Sequence, residues 1–280
     1  MSARRSSKGM AWIVLLALSC VSVIGLVGSA YATQEVVGDE PPNANAAVIP
    51  LLVDLAGEDE TARMAAVMAL RELGPVAWPA VPALIEALSD PVVGIRKGAA
   101  GALGGIGEAA VPAVADLAGA LEDPHRFVRS WAAMSLFEIG SAAKPAAPDL
   151  VHMMHTDAEN LRGRSWCASA LPKVEADPDL AVPALIRALG EDPSEEVRSV
   201  AVLSLESYGP EAAQRGATRA LVEDLHDPHW KVRGNAACAL PAMGDDAGWA
   251  VSSLEGVLGD ETAYVRDCAT RALEEFRARD

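Results

Sequence analysis

Aromatic side chains are nearly absent: they make up 4% of the 280 residues, although 51% are hydrophobic. A core with so few rings must be filled by Ala, Leu and Val, the balance of stacked helices. Basic residues are also in deficit. The chain holds 23 Lys and Arg against 39 Asp and Glu, and three of the bases (Arg4, Arg5, Lys8) fall in its first 32 residues, which carry no acid. The remainder therefore bears 20 basic and 39 acidic residues, a net charge of −19. With no basic stripe to override it, that charge excludes a nucleic-acid partner, which needs Lys and Arg against phosphate. It also disfavours anionic lipid and leaves basic or neutral proteins as partners.

Motifs for chemistry are missing too. No Ser/His/Asp or Cys/His constellation, Gly-rich phosphate loop or paired-carboxylate motif stands out. Gly98, Gly101, Gly104, Gly105 and Gly107 follow a helical pattern, not a strand-to-helix turn, and read as a thin or flexible helix. The five histidines include two i, i+3 pairs, His152/His155 and His226/His229, too far apart in the chain's plan to share a metal. Beyond Cys20 there are three cysteines, Cys167, Cys238 and Cys268, lying three, five and two residues past an arginine. An odd count at different heights and facings argues against a disulfide framework and for buried small residues. No catalytic residue, metal or cofactor is expected.

What is present is repetition. An arginine recurs at Arg63, Arg96, Arg129, Arg164, Arg198, Arg233 and Arg266, at spacings of 33, 33, 35, 34, 35 and 33 residues. Seven residues after each comes Leu: Leu70, Leu103, Leu136, Leu171, Leu205, Leu240 and Leu273. Three residues after each comes Ala or Cys, which lets neighbouring helices approach closely. A period in this range marks a solenoid of stacked helical units, none of which can bury its apolar stripe alone. Each unit reads as two helices. A Pro opens the first, as in Val81-Pro82, an Asp-Pro pair is expected to cap and start the second, and Gly closes it at Gly74, Gly107, Gly140, Gly209 and Gly244. The fourth copy departs, with Ala158 for Pro and Glu175 for Gly, and a local irregularity is expected there.

The pattern Asp-Pro, four residues, Arg, Ala-Ala-x-Ala-Leu and Gly resembles the short HEAT-like repeats named after phycobilisome lyases, a branch of the HEAT/armadillo solenoids, over residues 47–280. The resemblance implies an all-α, right-handed solenoid of about seven helix pairs. Relatives of this kind include bilin lyases and deoxyhypusine hydroxylase, so an enzyme of either type is the alternative to a scaffold. The hydroxylase holds its irons with His-Glu dipeptides, and this chain contains none. No motif matches bilin transfer.

The turn Asp and the Arg six residues later (Asp90/Arg96, Asp123/Arg129, Asp192/Arg198, Asp227/Arg233 and Asp260/Arg266) read as a structural ladder of charge-assisted hydrogen bonds between repeats. An anion-binding row is the alternative, disfavoured because each Arg has a matching Asp. Residues 1–32 combine a basic start, an uncharged apolar run from Ala11 to Val27, and Ala30-Tyr31-Ala32 as a cleavage site. They read as a signal peptide or an uncleaved membrane anchor, with a lipoprotein reading through Cys20 as a third option. Each places the repeats outside the cytoplasm, in the periplasm or beyond. Residues 33–46 are a polar linker.

A binding surface is sought where the repeat leaves residues free to vary. If the second helices line an inner groove, positions two, five and nine past each arginine face it. There stand Trp131 and Met134 in the third unit, Trp166 in the fourth and Leu203 in the fifth. These four are the expected anchors of a non-catalytic protein-binding scaffold. Trp78 and Trp249, just before first helices, are expected to pack the turns.

Overall fold

The computed structural model describes residues 44–279. The leader assignment, and most of the linker, lie outside them. Every regular element among the described residues is helical, and the fold is an all-α solenoid. The chain forms two compact units, one ending at Asp116 and the other beginning at Leu117.

The first unit contains α1 (Ala44–Leu55), α2 (Glu60–Leu73), α3 (Val81–Ala87) and α4 (Val93–Ile106). Its main packing is between the second helices α2 and α4, with α1 against α2 and α3 against α4. The glycines of α4 account for that closeness. A methyl group at Gly94 would overlap Met64, and one at Gly98 would overlap Val67, both on α2. Leu70, Leu84, Ile95 and Leu103 fill the layer and are fully buried.

The boundary in the chain falls within α5 (Val114–Ala120). The second unit then holds α6 (Arg126–Ile139), α7 (Ala147–Thr156), α8 (Leu161–Lys173), α9 (Pro178–Glu191) and α10 (Glu195–Tyr208). It continues with α11 (Pro210–Gln214), α12 (Ala217–Asp224), α13 (Trp230–Ala239), α14 (Val251–Gly256) and α15 (Ala263–Arg277). Second helices pack in chain order, α6 on α8, α8 on α10, α10 on α13 and α13 on α15. Leu136, Leu171, Leu205 and Leu240 are fully buried between them.

Helix ends differ from the sequence expectation at one point. The turn Asp does not cap the second helix directly, nor does its Pro occupy the first helical position. Instead Asp Oδ1 accepts the amide two residues on, as in Val92 to Asp90, His125 to Asp123, Ser194 to Asp192, His229 to Asp227 and Thr262 to Asp260. These Asx turns stand one step ahead of the helix. The helix then starts behind a cap of its own, with His125, Ser194 and His229 accepting from Phe127, Glu196 and Lys231.

The Asp thereby keeps its second oxygen for the preceding repeat. Arg63 Nε donates to Asp90 Oδ2 at 2.9 Å in the first unit. In the second, Arg129 donates to Asp157, Arg164 to Asp192, Arg198 to Asp227 and Arg233 to Asp260, at 2.6–2.8 Å. Each guanidinium also ties its own repeat through Nη1 to a turn carbonyl: Arg96 to Asp90, Arg129 to Asp123, Arg164 to Asp157, Arg198 to Asp192, Arg233 to Asp227 and Arg266 to Asp260. One arginine thus joins two turns. Hydrogen bonds donated to Asp157, Asp227 and Asp260 hold the pKa of the Arg129, Arg198 and Arg233 guanidinium groups above the usual arginine range. Burial alone would raise Asp157, but hydrogen bonds from Arg129 and Asn160 outweigh it and bring the carboxyl below its usual value.

The cysteines correct the sequence reading. Cys238 on α13 and Cys268 on α15 form a disulfide, with Cα atoms 4.9 Å apart. The expectation of unshared facings assumed that successive second helices stand at equal height. Between α13 and α15 this fails by about one turn: the fifth position of α13 meets the second of α15, and Tyr264, two before its arginine, reaches Asn235, two after its own. Cys167 remains a free thiol, buried in the layer, and burial pushes its pKa far up. Trp78 and Trp249 are corrected too. The 3-10 turns that carry them bury Ala77, Ala80, Ala247 and Ala250, while the two rings point outward at 48% and 55% exposure.

Candidate binding surface on the second helices

A residue two past the arginine shares its face of a helix with those at five and nine, and also with the one two before. On α6 this stripe reads Phe127, Trp131, Met134, Glu138. On α8 it reads Arg162, Trp166, Ser169, Lys173, and on α10 Glu196, Val200, Leu203, Ser207. Because α6, α8 and α10 pack side by side, Trp131, Met134, Trp166 and Leu203 come to lie on one three-helix surface of the second unit.

Their exposure is uneven. Leu203 is 48% exposed, whereas Trp131, Met134 and Trp166 are half-buried. Trp166 sits edge-on against Phe137 of α6 at 5.5 Å between ring centres, and Lys173 Nζ lies 5.9 Å from the Phe137 ring. Part of the Trp166 ring is therefore committed to packing, and its free edge is what a partner would meet. Phe127, at the start of the α6 stripe, is 46% exposed and was not among the expected anchors. Extending the helical period one turn before the arginine finds it, and finds Tyr264 on α15 as well.

The described clefts lie elsewhere. One of about 270 Å³ is lined by Glu122, Arg129, Asp149, His152, Met153 and Asp157, at the Arg129–Asp157 rung. Another of about 470 Å³ borders Arg233 and Asp260, with His226 and Asp227 on its wall. Neither is lined by Trp131, Met134, Trp166 or Leu203. Among the described residues no group of three or more His, Cys, Asp or Glu is arranged to hold a metal. His152 faces the first cleft, while His155, lowered in pKa by burial and then by Arg187, does not line it.

Residues 49–119 and 81–172 match the family of HEAT repeats. Residues 49–172 carry HEAT repeats. Beyond the matched span the Arg198–Asp227 and Arg233–Asp260 rungs show the same repeat geometry. Among solved structures, an engineered protein matches with a TM-score of 0.59 at 22% identity, over 84% of this chain and 68% of that one. At that identity the likeness is one of fold. The complex of CpcE and CpcF of phycocyanin lyase from Nostoc sp. PCC7120 gives a TM-score of 0.48 at 24% identity, covering 88% and 99% of the two chains. A designed armadillo repeat protein gives 0.46 at 20% identity, covering 81% and 98%. No curated protein matches the sequence.

Proposed function

We propose that this chain is a non-catalytic protein-interaction scaffold, exported from the cytoplasm, whose second helices present a surface to a neutral or basic protein partner. The observation that carries the reading is the placement of Trp131, Met134, Trp166 and Leu203 on three adjoining helices, with Leu203 and the neighbouring Phe127 about half exposed. Large apolar side chains that the repeat does not need, gathered on one face, are the usual anchors of a protein interface. The Arg–Asp rungs support it by tying successive repeats through two turns each, which keeps such a surface preorganised.

Export is supported by the leader-like composition of residues 1–32 and by the Cys238–Cys268 bridge, since disulfides persist in oxidising compartments. The acidic balance of the chain favours a basic partner over an acidic one.

The test is affinity capture from the native envelope fraction with residues 33–280 as bait. A Trp131→Ala/Trp166→Ala bait, shown by circular dichroism to keep its helix content, serves as the comparison. A specific protein held by the first and lost by the second supports the scaffold and its surface. Capture of the same set by both baits would remove the surface from consideration.

A further inference from the structure

A second exposed aromatic group lies toward the C-terminal end of the second unit, on residues that the surface above does not include. Trp230 opens α13 and is 41% exposed; Tyr264 opens the stripe of α15 and is 39% exposed. Their rings meet at 5.7 Å between centres and 85° between planes, forming a corner. His229 stacks on Trp230 at 5.7 Å and 29°, on the helix-start side.

The corner is held in place from beneath. Tyr264 Oη donates to Asn235 Oδ1 at 2.7 Å, and Asn235 Nδ2 donates to Ser199 Oγ at 2.8 Å. Asn235 and Ser199 are 8% and 6% exposed, so a buried polar relay through α10, α13 and α15 fixes the tyrosine hydroxyl. Gly234 supplies the floor: a methyl group there would overlap the Tyr264 ring. Preorganisation of this kind is more than an incidental surface ring needs, because an exposed tyrosine loses rotamer freedom without gaining burial.

Charge selects the occupant. Exposed Glu261 stands three residues before Tyr264, and exposed Asp267 three after it. From the bonded pair Ser199–Asn235, one turn back along each helix places exposed Glu195 and Glu196 of α10 beside the Trp230–Lys231 end of α13. Against these four carboxylates stand two bases, exposed Lys231 and the enclosed Arg233, which is bonded to Asp260 and lies 3.7 Å from exposed Glu261. An aromatic corner with an acidic rim suits a cation. A guanidinium suits it best, because it is planar, stacks on rings and keeps donors for flanking carboxylates.

We propose that the Trp230–Tyr264 corner is a docking site for an arginine side chain carried on an extended segment of a protein partner. This deepens the scaffold reading and rests on it, because it names the chemistry of the partner at a place separate from Trp131 and Trp166.

The probe is an acetylated and amidated (Gly-Arg)4 peptide, titrated by calorimetry in low salt, beside the same peptide with citrulline for arginine. Citrulline keeps the size and planarity of the side chain and removes its charge. The arginine peptide is expected to bind at least tenfold more tightly than the citrulline peptide. Trp230→Ala is expected to weaken it about tenfold, and Lys231→Glu, which removes the competing base, to tighten it severalfold. Because the last change is a gain, loss of fold cannot imitate it. Trp131→Ala/Trp166→Ala should leave peptide binding unchanged, which separates this site from the surface above. Equal binding of the two peptides, or no response to either Trp230→Ala or Lys231→Glu, overturns the proposal. Loss of partner capture by the Trp131/Trp166 variant with no arginine preference at the corner would retain the scaffold and discard the docking site.

Discussion

A guanidinium that serves two turns at once is worth more than a surface ion pair, because neither it nor its carboxylate keeps much access to water. The Arg164–Asp192 rung is the most enclosed of those described, with side chains 5% and 7% exposed. Its bidentate contact and the Nη1 bond to the Asp157 carbonyl leave few donors unused. Removing one partner of such a pair strands the other without solvent. Arg164→Ala should therefore cost about 3–5 kcal/mol, read as a fall in the urea midpoint. A change below about 1 kcal/mol would place the rung with ordinary surface pairs. Glu175 makes the opposite prediction. It is the one non-glycine with positive φ among the described residues, at +54°, where five sister repeats have Gly. Glu175→Gly should raise stability by roughly 1 kcal/mol by relieving the left-handed penalty. The irregularity of the fourth repeat is backbone strain at this helix end, and at the start of α8 a cap by Asn160, which accepts from the Gly163 amide.

Between elements, two features distinguish the later repeats. The disulfide ties α13 to α15 across 30 residues of chain. Closing a loop of that length should stabilise the fold by about 3–4 kcal/mol. Reduction should lower the denaturation midpoint of the wild-type protein and leave that of Cys238→Ser/Cys268→Ser unchanged. Titration of three free thiols in unreduced, unfolded residues 33–280 would contradict the bridge. The second feature is Asp224, the last residue of α12. Sister repeats place Ala87, Ala120, Met154, Leu189 and Val257 at that position, all buried. Burial pushes the Asp224 carboxyl from its ordinary 3.8 up to about 7, with Asp227 and Glu223 adding to the rise and Arg198 opposing it. A raised acid binds its proton more tightly when folded. Its contribution is fully present below pH 3.8 and is lost as pH rises to about 7. Between pH 5 and 8 the wild-type midpoint should fall relative to that of Asp224→Asn, which lacks this titration. Parallel pH profiles for the two proteins would show the carboxyl to be ordinary.

At the scale of the whole molecule, charge governs encounter. A net charge of −16 gives a field that favours cationic partners, and screening shortens its reach to about 8 Å in physiological salt. Association with a basic partner should slow as salt rises, with a smaller effect on dissociation, in a stopped-flow series from low to physiological ionic strength. An association rate indifferent to salt would move selectivity from charge to apolar contact.

Much of the architecture follows from the sequence itself. Period 33–35, a leucine seven past each arginine and a small residue at three are local, one-dimensional signals, and they require helices that bury one face against the next. They suffice for helix pairs, for the buried layer of Leu136, Leu171 and Leu205, and for setting Trp131, Met134, Trp166 and Leu203 on corresponding helix faces. They carry no information about the height at which neighbouring helices meet. That stagger is set by how close the helices come, and so by three-dimensional packing. Tertiary packing joined Cys238 to Cys268, routed Arg63, Arg129, Arg164, Arg198 and Arg233 to the aspartate of the following repeat, and brought Trp230 and Tyr264 into contact although 34 residues separate them. The period determined which residues share a face; the tertiary structure decided which of them touch, because contact depends on the offset between helices as well as on the face.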